Sequence, residues 1–210
     1  MTKATLTSDE DLLHLMLLGD EEAFVTLFRK RQGAIYRFAL QMTGSEATAE
    51  DVVQEVFMAL LHSGSRFDPQ KGALLSFLYG IARNQVMRRL ERDRPFVQYA
   101  LPETEDDRML EGSLIETRDP LLDLSKNELI DGVRQAVLGL PQHYREAVVL
   151  CDLHEMSYAE SAQVLGCAVG TIRSRLHRAR GMLLERLRSR ADSQSSSINA
   201  PVVRSIYELS

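Results

Sequence analysis

Helical periodicity runs through this chain on both sides of a single break, and the break limits what it can fold into. From Pro95 to Lys126 the apolar spacing collapses. Three prolines (Pro95, Pro102, Pro120) fall there among many acids, and no stripe survives. Such a segment reads as a linker. Before it, Val52, Val53, Val56, Phe57, Leu60 and Leu61 recur at helical spacing in 46–62, opposite Glu50, Asp51, Gln54 and Glu55. Thr48 and Asp51 have the spacing of a capping box, with Asp in place of Glu or Gln. Residues 73–94 repeat the pattern with Leu74, Leu78, Ile81, Ala82 and Leu90, after a turn at Asp68-Pro69. Residues 21–42 offer Phe24, Leu27, Ile35, Phe38 and Ala39 as core candidates.

After the break, Leu129, Val133 and Val137 share one helix face, and Gly139-Leu140-Pro141 ends that helix. Pro141 suits the first turn of the next, over 142–152. Ser157 caps a short helix over 158–164, Gly166 stops it, and another starts near Val169. The expected architecture is all-α: a helical domain over 8–94, an acidic linker over 95–126 and a second helical domain over 127–190. The tail 191–210, rich in serine (Ser193, Ser195, Ser196, Ser197), is expected to be disordered. The absence of Trp and a Gly plus Pro total of 18 agree with helix rather than an all-β fold.

Charge separates the parts further. The chain nets −5, which excludes a bulk polycation of the histone kind. By segment the net is −5 over 1–62, +4 over 63–95, −7 over 96–133, −2 over 134–170 and +6 over 171–190. Two basic blocks flank an acidic one, as expected of two modules on one chain. Cys151 and Cys167 are too few for a disulfide scaffold and form no CxxC, which fits a reducing cytoplasm. The acidic start, MTKATLTSDEDLL, is the reverse of a secretory signal. No stretch approaches the ~20 apolar residues of a membrane span.

Residues 157–180, SYAESAQVLGCAVGTIRSRLHRAR, carry the chemistry. A short helix, a Gly turn and a basic second helix are the parts of a helix-turn-helix. The second helix has an apolar face (Val169, Ile172, Leu176, Ala179, Leu183) and a polar face with Arg173, Ser174, His177, Arg178 and Arg180. Arg173 and His177 lie one turn apart, as do Ser174 and Arg178. A helix fits the major groove, where Arg can bond guanine with two hydrogen bonds. Thr171 and Tyr158 are candidates for phosphate contacts, which position without specifying. A charge run alone usually means a solvated face, but the Gly turn and the clean separation of faces favour DNA.

The other basic block mixes Arg66, Lys71, Arg83, Arg88, Arg89, Arg92 and Arg94 with Phe67, Phe77 and Tyr79. Aromatics beside cations suit single-stranded nucleic acid. Phe77 and Tyr79 also read as ordinary core residues, and for Phe77 the helical spacing favours that reading.

Together these segments resemble the extracytoplasmic-function (ECF) group of bacterial RNA polymerase sigma factors. AEDVVQEVFMAL (49–60) resembles the group's polymerase-binding helix, FDPQKGALLSFLYGIARN (67–84) its −10 recognition segment, and GTIRSRLHRAR (170–180) its −35 recognition helix. The likeness covers most of 8–190. It implies that Asp51, Gln54 and Glu55 contact the coiled coil of the polymerase's largest subunit. It implies that Asn84, with the loop of Phe67, Asp68 and Lys71, captures a base flipped from the −10 element, while Arg83 and Arg88 hold phosphates. It implies that Arg173, Ser174, His177 and Arg178 read duplex −35 DNA. It further implies core RNA polymerase and promoter DNA as partners, and regulation by an anti-sigma factor as a common feature. Two positions depart from the group: Phe77 stands where Trp is common, and Ser161 where an aliphatic residue is common.

The rival is a stand-alone, dimeric helix-turn-helix repressor or activator, which leaves 49–60 without a use. An enzyme is less well supported: no phosphate loop, metal cluster, cofactor motif or nucleophile–base pair is legible. Cys151, His154 and Cys167 match no ligand spacing for zinc, and Cys151 reads as a small buried hydrophobe. His14, His62 and His143 are isolated.

Overall fold

The computed structural model describes residues 8–92 and 126–207, with side chains over 8–92 and 130–190. The expected linker over 95–126 lies outside the described residues apart from Lys126. Every described element is helical: α1 (Asp9–Leu17), α2 (Glu21–Thr43), α3 (Glu46–Ser63), α4 (Leu74–Arg92), α5 (Lys126–Leu138), α6 (Gln142–Val148), α7 (Tyr158–Leu165) and α8 (Val169–Tyr207).

Local chemistry sets the ends. Ser8, Asp20 and Ser45 each accept a backbone N–H three residues on, capping α1, α2 and α3. The cap of α3 is therefore Ser45, not Thr48. The amide of Thr48 donates to the Ser45 hydroxyl at 3.2 Å, and the helix begins earlier than the Thr48/Asp51 spacing suggests. Ser157 and Glu160 form a reciprocal capping box on α7. Gly44 and Gly166 close α2 and α7 with φ of +73° and +65°, a conformation glycine adopts without strain.

In the N-terminal domain α2, α3 and α4 enclose Leu27, Ile35, Phe38, Val52, Val56, Leu60, Leu74 and Leu78, all fully buried. The α1 helix is tied to α2 by the buried Asp9, which pairs with Lys30 at 2.8 Å and Arg31 at 2.5 Å. In the C-terminal domain Ala147–Leu150 and Ile172, Leu176 and Ala179 of α8 form the core. Val169, assigned to that apolar face, is instead 37% exposed. It lies at the first residue of α8, before the helix reaches the core.

Two boundaries differ from the sequence reading. The expected helix over 142–152 is regular only to Val148 and then widens into a π-type turn over Val149–Leu153. There the amide of His154 reaches back to the carbonyl of Val149. Glu155 follows with φ of +55°, a strained conformation for a residue with a Cβ. At the far end, the backbone of α8 continues as helix to Tyr207 where a disordered tail is expected. No Gly or Pro interrupts 182–200.

The domains pack against each other. Arg145 of α6 donates to the carbonyl of Met42 at 2.6 Å, and also to those of Leu138 and Leu140. Gly44 lies so close to Leu138 of α5 that an added Cβ would meet it at 2.9 Å. His154 sits between Tyr79 and Gln41. Its Nδ1 accepts from the Tyr79 hydroxyl at 2.7 Å, and its Nε2–H donates to Gln41 Oε1 at 2.9 Å. Burial, reinforced by the charge of Arg37, pushes the His154 ring down to about 4. Burial likewise pushes the Tyr79 hydroxyl up to about 12. His154 thus joins the domains as a neutral ring. Among the described residues no His, Cys, Asp and Glu cluster that could hold a metal occurs.

Candidate polymerase and nucleic-acid interfaces

The first candidate surface is the polar face of α3. Burying Val52, Val53, Val56, Phe57 and Leu60 turns Asp51 and Gln54 outward and leaves Glu55 half-buried. Arg89 of α4 crosses to this face. It donates two 2.9 Å hydrogen bonds to Glu55 and reaches Asp51 at 3.5 Å. Two parallel bonds fix a carboxylate's orientation as well as its charge. Sequence reasoning placed Arg89 only in a generic basic block. The available signal was its spacing: Arg89 follows the buried Ala82 and Val86 by seven and three residues, on the inward edge of α4.

The second candidate surface is the loop before α4 and the outer side of α4. Phe67 and Phe77 meet at 5.7 Å between centroids with their rings tilted by 56°, both half-buried and packed against the hydrophobic core, so Phe77 ties the loop to that core. Asp68 is committed to the turn: its carboxylate accepts from the amide of Gln70 at 3.0 Å and pairs with Lys71 at 3.5 Å. The Lys71 side chain is 84% exposed. Asn84 and Arg88 lie one turn apart, both exposed. Arg83 departs from this group. It turns to the other domain, and its Nε donates to Glu146 Oε1 at 2.7 Å.

The third candidate surface is the helix-turn-helix. Arg173, Ser174, His177 and Arg178 are exposed along one side of α8, with Ile172, Leu176 and Ala179 buried on the other. Thr171 is half-buried at the helix start, and Tyr158 is 37% exposed on α7. The Ser174 hydroxyl donates to the carbonyl of Thr171 at 3.0 Å. Arg180, by contrast, is structural. It holds Asp152 with bonds of 3.1 and 2.7 Å and so fixes α8 against the π-type turn. That bond, the first of its stabilising contacts, raises its basicity above the ordinary guanidinium value. Ser161, fully buried, uses its hydroxyl to accept from the half-buried Cys151 thiol at 3.1 Å. Burial raises that thiol's pKa.

The segments that carry these surfaces are similar to those of known proteins. Sigma-70 region 2 matches residues 27–95, and Sigma-70, region 4 matches residues 130–183. The ECF RNA polymerase sigma factor SigE of Mycolicibacterium smegmatis is 31% identical over 188 residues, covering 85% of this chain and 68% of its own. SigW of Bacillus subtilis, another ECF RNA polymerase sigma factor, is 30% identical over 172 residues, covering 81% and 91%. Among solved structures, CnrH in complex with the cytosolic domain of CnrY is similar at a TM-score of 0.64 and 25% identity. It covers 87% of this chain and 99% of CnrH. The first two surfaces fall within the region 2 match and the third within region 4. No described helix is long and apolar enough to cross a membrane.

Proposed function

The chain belongs to the ECF group of bacterial RNA polymerase sigma factors, and from that premise we propose how its residues divide the work of transcription initiation. As a sigma factor it directs core polymerase to specific promoters and assists −10 opening. In this reading Asp51, Gln54 and Glu55 bind core polymerase, with Arg89 holding Glu55 in place. Asn84 and the loop of Phe67, Asp68 and Lys71 take up a base flipped from the −10 element, and Arg83 and Arg88 hold backbone phosphates. Extruding a base costs a few kcal/mol, so a pocket that binds the extruded base favours the open duplex. Arg173, Ser174, His177 and Arg178 read the −35 duplex from the major groove, with Thr171 and Tyr158 on phosphates.

The observation that carries this reading is the coexistence on one chain of an outward acidic face on α3, a cationic α4 with an aromatic loop, and a helix-turn-helix. A stand-alone repressor uses only the last of these, and nothing favours that alternative. The factor has no catalysis of its own in this proposal and works in the cytoplasm, where core polymerase is. CnrH was solved with the cytosolic domain of CnrY. An anti-sigma protein that covers the α3 face of this chain belongs to the same proposal.

The test is run-off transcription with core polymerase. Wild-type chain is expected to co-purify with core and give a promoter-dependent product. Asp51→Ala with Gln54→Ala is expected to lose core binding while the helix-turn-helix domain keeps its duplex affinity. Full transcription by that double variant would contradict the assignment of α3.

A further inference from the structure

Glu146 is out of place for an acidic side chain. It leads the apolar run Ala147–Leu150, which starts in α6 and continues into the π-type turn, and it is 2% exposed. A carboxylate that deep is costly unless it is paired and hydrogen-bonded. Its cation comes from the other domain: Arg83 of α4, 63 residues away in sequence, whose Nε lies 2.7 Å from Oε1. Arg83 keeps only 25% of its side chain exposed. Around this pair the domains are closed by His154 between Tyr79 and Gln41, and by Arg145 on the carbonyl of Met42. At the α4 end of the loop, the Gln163 amide oxygen of α7 lies 3.2 Å from where a Cβ on Gly72 would sit.

A guanidinium offers the same fork of donors to a carboxylate and to a phosphate. We propose that Glu146 is an internal stand-in for a promoter phosphate at Arg83, so that the closed chain occupies part of its own −10 surface. This rests on the reading of Arg83 as a phosphate contact. DNA then competes with Glu146, and the −10 surface is complete only when the domains separate. Holding the two domains on separate surfaces, as core polymerase does in the proposed function, releases Arg83 and exposes Glu146 to water.

The test uses the full chain and a fluorescein-labelled dT20 strand, read by anisotropy across a salt series. Glu146→Gln keeps the shape and removes the charge. It is expected to bind dT20 about ten-fold tighter than wild type, with a salt slope steeper by about 0.7, one additional phosphate on a single strand. Glu22→Gln removes the same charge from an exposed site and is expected to stay within about two-fold of wild type. Arg83→Ala in the Glu146→Gln background is expected to abolish the gain. The exchange Arg83→Glu with Glu146→Arg is expected to keep the wild-type melting temperature and to bind no tighter than Arg83→Ala. If Glu146→Gln does not fold, Glu146→Asp withdraws the carboxylate by one methylene and must also raise affinity. Unchanged affinity in the folded Glu146 variants overturns the proposal. The Arg83 reading is tested separately in the holoenzyme: if Arg83→Ala opens the −10 element like wild type, that reading fails as well.

Discussion

The two basic surfaces of this protein are built in opposite ways. On α4 the arginines that face inward are already matched by carboxylates from elsewhere: Arg83 by Glu146 of the other domain, Arg89 by Glu55 and Asp51 of α3. On α8 the side chains proposed to read the −35 duplex, Arg173, Ser174 and His177, face solvent, and the arginine that does carry a strong internal pair, Arg180, serves to anchor the helix. The difference fits the substrates proposed for the two surfaces. A duplex reader docks on DNA that already has its shape, so its surface can stand ready. A single-strand surface acts on DNA that must first be opened, and an uncovered cationic groove binds single strands without sequence preference.

The largest way to break the contrast is to remove the support beneath the ready surface. Leu176→Ala deletes a side chain that is 1% exposed and is expected to cost about 3 kcal/mol. Calorimetry checks whether that loss moves the whole closed unit or the C-terminal domain alone. Melting as one transition supports tight domain closure. Next in size, Arg173→Ala is expected to cost about 2 kcal/mol of −35 duplex affinity in the holoenzyme, roughly thirty-fold. Affinity for single-stranded −10 DNA stays unchanged if the division of labour holds, as a filter-binding series on both probes will reveal.

A smaller effect comes from His154. In the closed chain its ring gives up its proton near 4, against 6.5 for an exposed histidine. The open state therefore binds more protons at intermediate pH, and closure is fully favoured above 6.5 and weakens as pH falls toward 4. Because the ring keeps some solvent contact, the expected loss is on the order of 1 kcal/mol over this range. Distance measurements between labels on the two domains should report opening on acidification, and His154→Gln should flatten the response. The smallest effect concerns Glu155, whose φ is +55°. Glu155→Gly relieves that strain and is expected to stabilise the C-terminal domain by about 0.5 kcal/mol, with DNA affinity unchanged.

Much of the fold was legible because it is written in local spacing. The apolar stripes gave the helices, and Ser157 with Gly166 gave the helix-turn-helix its first helix and turn. What stayed hidden depends on partners distant in sequence. Periodicity shows that Tyr79 lies on a helix face but not that it meets His154, 75 residues on. It shows Arg83 and Arg88 as neighbours in a basic block but not that one is claimed by Glu146 while the other faces water. The sequence did hold one clue: Glu146 directly precedes the apolar run Ala147–Leu150, where a carboxylate that is buried needs a cation. The π-type turn at Val149–Leu153 left no such mark, because the apolar run Ala147–Leu150 passes into it without a break.

In the proposed division of labour the α4 surface works only when polymerase has opened the chain, while α8 is ready beforehand. Permanganate reactivity of thymines in the −10 element, measured on promoter DNA with free chain and with holoenzyme, tests it directly. Reactive thymines are predicted with holoenzyme and none with free chain at any concentration that occupies the −35 element. Reactive −10 thymines with the free chain, or their absence with a holoenzyme that protects the −35 element, would contradict it.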